Sequence, residues 1–278
     1  MSPNNEKQPI TKANLNTYLK DLAKEYRKLA GKGVPAEIIL TGGAAVLTEY
    51  GFRELTYDVD AIIVAASAMK SAIARVSDKH SLPHGWLNMD FKHTASYSNR
   101  LQEVSVFYKT FSNVLTIRMI TGEYLLAMKL KSGRRYKNDL SDIVGILWEH
   151  QKKSAPITQE SVEKAILLLY GNDVVIPETS VQLLDNLFDL EDYEPLYRQI
   201  RDSEIEAREL LLDFDSEYPN LIKGKNIDTI LDSLKHKHDT GQKKTLLSKL
   251  EEMKRLINAV ERPKDKSTPV SYKGNLEL

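Results

Sequence analysis

Hydrophobic positions along this chain follow two different rhythms, and the changeover near residue 120 predicts its organisation. In TKANLNTYLKDLAKEYRKLAGKG the apolar residues Leu15, Tyr18, Leu19, Leu22, Tyr26 and Leu29 recur at helical spacing, with Thr11 placed to cap and Gly31 and Gly33 placed to stop. Short runs rich in β-branched residues follow, at Glu37–Leu40 and Val59–Val64, and read as buried strands. Between them Gly43–Tyr50 reads as a short helix, and after them Ala66–His80 reads as a second, with Met69, Ile73 and Val76 on one face. Val104–Phe107 and Val114–Ile120, separated by Ser112-Asn113, predict a hairpin. Beyond Thr121 the period is helical almost throughout: Gly122–Gly133, Asp139–Lys152, Thr158–Tyr170, Thr179–Leu190, Pro195–Phe214, Ile227–Lys237 and Lys243–Val260. No fixed repeat is present.

This pattern predicts an α+β fold: a small mixed sheet with helices, followed by a mainly helical C-terminal region. The expected divisions are an N-terminal helix (1–34), a sheet-bearing domain (35–150), a helical domain (151–262) and a disordered tail (263–278).

Composition narrows the function classes. With 41% hydrophobic and 28% charged residues, the 278-residue chain can build a sizeable core. Lys+Arg and Asp+Glu both number 39, so no global field draws nucleic acid or a membrane surface. There is no cysteine, which excludes disulfides, thiolate metal sites and thiol nucleophiles. The opening MSPNNEKQPI has no apolar segment of the secretory kind, and no apolar run approaches the roughly 20 residues of a spanning helix, so a soluble cytoplasmic protein is expected. Charge is segregated locally: residues 185–217 hold 12 acids and 3 bases, and residues 223–256 hold 9 bases and 5 acids. Solvated helical faces explain this, and so does pairing of the two stretches with each other or with a partner chain.

The segment ILTGGAAVLTEYGFRELTYDVDAIIV holds the strongest chemical signal: strand, Gly42-Gly43 turn, helix, and a second strand bearing Asp58 and Asp60. Residues i and i+2 of a strand share a face, so two carboxylates stand side by side and repel unless a cation lies between them. An all-oxygen pair with neither Cys nor His nearby suits Mg²⁺ or Mn²⁺. Glycines at a helix start allow backbone N–H groups to approach a phosphate. Together these features predict a nucleoside triphosphate bound through a divalent metal. A Gly-Gly turn alone, or an exposed Asp-x-Asp alone, would carry no such meaning.

Gly42-Gly43 followed by Thr56-Tyr57-Asp58-Val59-Asp60 resembles the signature of the DNA polymerase β-like nucleotidyltransferases. A second block, Tyr124-Leu-Leu-Ala-Met-Lys129-Leu and then Gly133-Arg134-Arg135-Tyr136-Lys137-Asn-Asp139-Leu-Ser-Asp142-Ile, is similar to an element of the AbiEii-type abortive-infection and toxin nucleotidyltransferases. The resemblance covers roughly residues 35 to 150. It implies that Asp58 and Asp60 ligate the metal and that Gly42, Gly43, Thr56 and Arg53 lie along the nucleotide. It likewise places Lys129, Arg134, Lys137 and Asp142 among the nucleotide-binding groups. The implied reaction is Mg²⁺-dependent transfer of NMP from an NTP to an RNA or tRNA end, or to a protein hydroxyl. A toxin role beside a cognate antitoxin is implied as well.

Five bases lie between positions 129 and 137 beside an apolar helix face, where they serve either a phosphate or a solvated helix surface. Such enzymes usually take a third carboxylate from a later strand. Asp90, in Gly85-Trp86-Leu-Asn-Met-Asp90-Phe91, and Glu103, just before Val104–Phe107, are the candidates. Asp90 is preferred because Trp86 and Phe91 can anchor its loop. Without a third acid the chain would be a non-catalytic nucleotide-binding or interaction module. His236 and His238, two apart on a helix, diverge and read as exposed; no Walker A loop or Gly-x-Ser-x-Gly elbow is present.

Overall fold

The computed structural model describes residues 8–240, apart from 135, 136, 189 and 225. The expected helix over Lys243–Val260 and the expected tail lie outside the described residues, as do the side chains of His236 and His238.

The architecture is α+β, as the sequence predicts. Helix α1 (Lys12–Ala30) starts at a reciprocal cap: Asn14 N–H donates to Thr11 Oγ1, and Thr11 N–H donates to Asn14 Oδ1 at 2.8 Å. It stops at Gly31, whose φ of 96° lies outside the range that most side chains adopt. A five-stranded mixed sheet has the order β5-β4-β2-β7-β6. Its strands are β2 (Ala36–Leu40), β4 (Val59–Val64), β5 (Leu87–Asn88), β6 (Ser105–Phe111) and β7 (Leu115–Ile120). The β6–β7 hairpin turns through Ser112 and Asn113, both at positive φ. β1 (Ile10–Thr11) and β3 (Leu55–Thr56) pair separately. These two pairing strands and β5 are two residues each, too short to leave a periodic trace in the sequence.

Register brings the interesting segments together. β2 and β4 are antiparallel, with Leu40 opposite Ala61, so the end of β2 meets the start of β4. Thr41 N–H donates to the Asp60 carbonyl at 3.0 Å. The chain then enters α2 (Gly42–Glu49) directly above that junction. β5 lies parallel to β4, with Asn88 opposite Asp60, and continues into a 3₁₀ turn at Asp90–His93.

The helices that follow are α3 (Ala68–His80) between β4 and β5, then α4 (Gly122–Ser132), α5 (Asp139–Lys152), α6 (Gln159–Tyr170), α7 (Glu178–Leu187), α8 (Glu194–Glu217) and α9 (Ile227–Thr240). Thr158 caps α6 and Gly171 stops it, as expected. α4 packs on both α5 and α6, and α5 packs on α8. One continuous apolar core runs from Ile10 to Tyr193. A second, smaller cluster forms where the end of α8, through Ala207, Leu211 and Phe214, meets Ile227, Ile230 and Leu231 of α9. No helix among the described residues is long and apolar enough to cross a membrane.

Phe52 joins the halves: its ring meets Tyr197 of α8 edge-on at 5.6 Å and lies 5.8 Å from Tyr50. It occupies the space left by Gly145 on α5, where an added Cβ would come within 2.6 Å of the ring. Gly145→Ala would add about 1 kcal/mol of helix propensity. The ring is held between Tyr50 and Tyr197, and overpacking costs about 1–3 kcal/mol. A lower melting temperature than wild type is expected by calorimetry; a higher one would mean that Phe52 repacks freely.

Candidate active site

The cleft over the sheet's β2–β4 junction forms two adjoining lobes, of about 210 Å³ and 750 Å³. Gly42, Asp58, Asp60, Lys129, Arg134, Lys137 and Asp139 line both. Asp90 lines the smaller lobe with Asn88, Phe91, Thr94 and Ser96. Gly43, Arg53, Thr56 and Asp142 line the larger, and so do Arg201 and Arg208 of α8. The cleft therefore contains every predicted site residue, including Asp90. Glu103 sits in the exposed turn before β6 and lines neither lobe.

Asp58 immediately precedes β4 and Asp60 is its second residue, so both carboxylates look into the cleft while Val59 and Ala61 are buried in the core. Neither carboxylate makes a hydrogen bond or ion pair with a described residue, whereas their backbones are firmly held. Thr56 Oγ1 donates to the Asp58 carbonyl at 3.2 Å, and Thr41 Oγ1 donates to the Asp60 carbonyl at 3.0 Å. Burial raises the pKa of Asp60, as do the negative charges of Asp58 and Asp90, while Lys137 and Arg134 pull it back. Asp90 is thus part of the same electrostatic cluster.

Glycine is favoured by the left-handed backbone at Gly42 and by close approach at Gly43. Gly42 has φ of 50°, and a Cβ there would lie 3.6 Å from an Asp60 carboxylate oxygen. A Cβ on Gly43 would lie 2.7 Å from the Arg53 guanidinium and 3.1 Å from Thr56 Oγ1. The first N–H groups of α2 have no side-chain cap, which leaves them open towards the cleft.

The floor is a buried ion network. Lys129 Nζ is 2.7 Å from Asp142 and 3.2 Å from Asp139, and the lysine is only 7% exposed. Arg53 pairs with Asp142, and Arg134 Nε pairs with Asp139 at 2.8 Å. Burial alone would lower the Lys129 pKa, but the carboxylates of Asp142 and Asp139 outweigh it and hold the ammonium above its ordinary value. Burial would likewise raise Asp139, yet Lys129 and Arg134 hold it well below the usual carboxylate range. Lys129, Arg53 and Asp142, read from sequence as nucleotide contacts, line the cleft but bond to one another in its floor. Lys137, by contrast, is exposed and has no ion pair with a described residue.

Sequence reading missed Glu204. It is 2% exposed on α8, and it accepts hydrogen bonds from the N–H groups of Leu140 and Ser141 at 3.1 and 3.2 Å, and from the Ser141 hydroxyl. A helix from the C-terminal region thereby caps α5, the helix that carries Asp139 and Asp142. The one visible trace was a run of acids on α8, which gives no indication of the one that turns inward.

Among the described residues, no group of three or more His, Asp or Glu side chains is placed to hold a metal by itself. Asp58 and Asp60 nevertheless fit a hard divalent cation. They are paired, all-oxygen and without a hydrogen-bond donor among the described residues, and Mg²⁺ commonly takes one or two carboxylates with phosphate and water oxygens completing its shell.

A glycine turn opening a helix, with two acids on the neighbouring antiparallel strand inside a cation-lined cleft, is the arrangement that the nucleotidyltransferase resemblance predicts. Residues 17–150 match the model of a family described as nucleotidyltransferase of unknown function (DUF6036). The matched segment runs from within α1 through most of α5 and includes the acid pair, the glycine turn and the ion network. Comparison with curated proteins and with solved structures finds no match.

Two predictions concern the floor. Lys129→Ala leaves Asp139 and Asp142 buried without their shared cation, so a loss of about 3–5 kcal/mol is expected in denaturant unfolding. Lys137→Ala should stay within about 0.5 kcal/mol of wild type. Equal stability of the two variants would show that the network does not hold the floor. Burial pushes Glu204 up to about 7 against the Ser141 hydrogen bonds that favour its charge. Its ordinary value is 4.5, so between those limits the folded chain holds a proton that the unfolded chain releases. This group's contribution to stability therefore falls as pH rises from 4.5 to 7. Asp60 contributes with the same sign, so the measurement is the difference between wild type and Glu204→Gln across that window. The fall should be shallower in the variant, and identical slopes would contradict the assignment.

Proposed function

We propose that the chain is a Mg²⁺-dependent nucleotidyltransferase, with Mn²⁺ as a substitute, that moves NMP from an NTP to an acceptor hydroxyl. The single observation that supports this most is the pair of acids, Asp58 and Asp60, without a donor among the described residues and beside an uncapped glycine turn. In this reading Asp58 and Asp60 hold the metal, which when bound supplies positive charge to the triphosphate oxygens and to the attacking oxygen. Gly42 and Gly43 present backbone N–H groups to the phosphates. Thr56 fixes the backbone of Asp58. Lys137 and Arg134 offset charge that builds on the leaving phosphates. Lys129, Arg53 and Asp142 act beneath the nucleotide, setting where α5 and the Arg53 loop stand.

The acceptor oxygen attacks the α-phosphorus, the bond from that phosphorus to the bridging oxygen breaks, and pyrophosphate leaves. The acceptor's proton passes to Asp90, which lines the lobe next to the acid pair. The acceptor is an RNA or tRNA end, or a protein hydroxyl, on the strength of the AbiEii-type resemblance. The same resemblance supports a growth-inhibiting toxin in the cytoplasm, restrained by a cognate antitoxin.

A second reading, a nucleotidyltransferase-like module that binds Mg–NTP without transfer, draws on the lack of three converging carboxylates among the described residues. Labelled-NTP transfer assays decide between them. Asp58→Asn and Asp60→Asn should abolish transfer without loss of folding, since each relieves a repulsion. Asp90→Ala should lose about 10²–10⁴-fold in rate with NTP affinity kept, and Glu103→Ala should be near wild type. Mg²⁺-dependent NTP binding with no transfer to any acceptor would favour the module. Near-normal transfer in both Asp58→Asn and Asp60→Asn would mean the site is elsewhere.

A further inference from the structure

Helix α8 lies beyond the matched segment, yet it forms a wall of the larger lobe. It is strongly acidic in sequence, but the two arginines that it turns into the cleft, Arg201 and Arg208, are seven residues apart and so share one face. Both converge on the same neutral atom: Arg201 Nη1 donates to Asn138 Oδ1 at 2.8 Å, and Arg208 Nη2 donates to it at 2.6 Å. Neither forms an ion pair with a described carboxylate. The buried acid between them on the same face, Glu204, has both carboxylate oxygens engaged by Leu140 and Ser141 at the start of α5.

Two half-buried guanidiniums held on one uncharged amide repel each other, and the amide oxygen offsets only part of that repulsion. One arginine would suffice to tie α8 to Asn138. A second beside it leaves several N–H donors lining a cavity of about 750 Å³ that Lys137 and the acid pair also line. Planar guanidiniums match the oxygens of a phosphate group better than any other side chain.

We propose that Arg201 and Arg208, gathered by Asn138, form an anion subsite that takes a phosphate group. The identity of that phosphate rests on the nucleotidyltransferase reading: it belongs either to the NTP's own outer phosphates or to the phosphodiester backbone of a nucleic-acid acceptor. The presence of the subsite does not rest on that reading, because the arginines and the cavity stand whether or not transfer occurs.

The test is calorimetric titration in EDTA, at low and at moderate salt, with tripolyphosphate, with an NTP and with a short single-stranded RNA. Wild type, Arg201→Gln, Arg208→Gln, the double variant and Asp60→Asn are compared, with melting temperatures alongside. Tripolyphosphate should bind wild type, weaken about tenfold for each arginine removed, and lose most of its salt dependence in the double variant. Asp60→Asn should bind it as tightly or more tightly, because it deletes a negative charge. That arm separates this subsite from the metal reading, which Asp60→Asn damages. A loss in the arginine variants for the NTP assigns the phosphate to the nucleotide; a loss for the RNA alone assigns it to the acceptor. If the double variant does not fold, the single variants are read in its place, since each keeps one guanidinium on Asn138. Unchanged affinity for all three anions in folded arginine variants, or no anion binding by wild type, overturns the proposal and leaves the arginines as struts.

Discussion

Lys129 shares its ammonium between Asp139 and Asp142, Arg53 completes Asp142, and Arg134 completes Asp139. Three cations and two carboxylates, four of the five largely removed from water, form a network that no single partner can leave cheaply. Desolvation makes each charge costly alone, so the geometry of all five is set together. Through Lys129 it fixes α4, through Asp139 and Asp142 it fixes α5, and through Arg53 it fixes the loop over Gly43. The glycine turn, the base of the cleft and the helical half of the chain are referenced to one buried point. Glu204 adds a second tie from α8 to the same end of α5.

With that network satisfied internally, the charges above it stand out. Asp58 and Asp60 have backbones fixed by two threonine hydroxyls and carboxylates that no described residue neutralises. Burial first, then repulsion from Asp58 and Asp90, raises the pKa of Asp60. Lys137 and the α8 arginines line the same cleft. The division is physical: paired charges in the floor give shape, and the charges of both signs above them are the groups to which the proposed function assigns the metal and the phosphates. A ligand that brings a divalent cation and several phosphoryl oxygens satisfies both sets at once, which is the basis of the nucleotidyltransferase reading.

Much of this was legible locally. The cap at Thr11, the stops at Gly31 and Gly171, the hairpin at Ser112-Asn113 and the strand–glycine–helix–strand order each depend on residues within a few positions of one another. The acid pair was legible for the same reason, because strand alternation alone puts Asp58 and Asp60 on one face. What escaped depends on distance along the chain. Arg53 meets Asp142 across 89 residues, Ser141 meets Glu204 across 63, and Arg208 meets Asn138 across 70. Without those pairings, Lys129 and Asp142 read as exposed ligands rather than as each other's partners, and Glu204 is indistinguishable from its solvated neighbours. The strands β1, β3 and β5 escaped because two-residue pairings leave no period to read.

The central claim is that Asp58 and Asp60 hold a divalent cation shared with a triphosphate. It is tested most directly by a crystal grown with Mn²⁺ and an NTP analogue whose α–β bridge cannot be cleaved, with data collected at the manganese absorption edge. The account predicts an anomalous peak bonded to both carboxylates at about 2.1 Å, with phosphate oxygens in the same shell and the chain turning over Gly42-Gly43 beside them. Clear density for the analogue with no anomalous peak at the acid pair, or a peak coordinated by other residues, would contradict it.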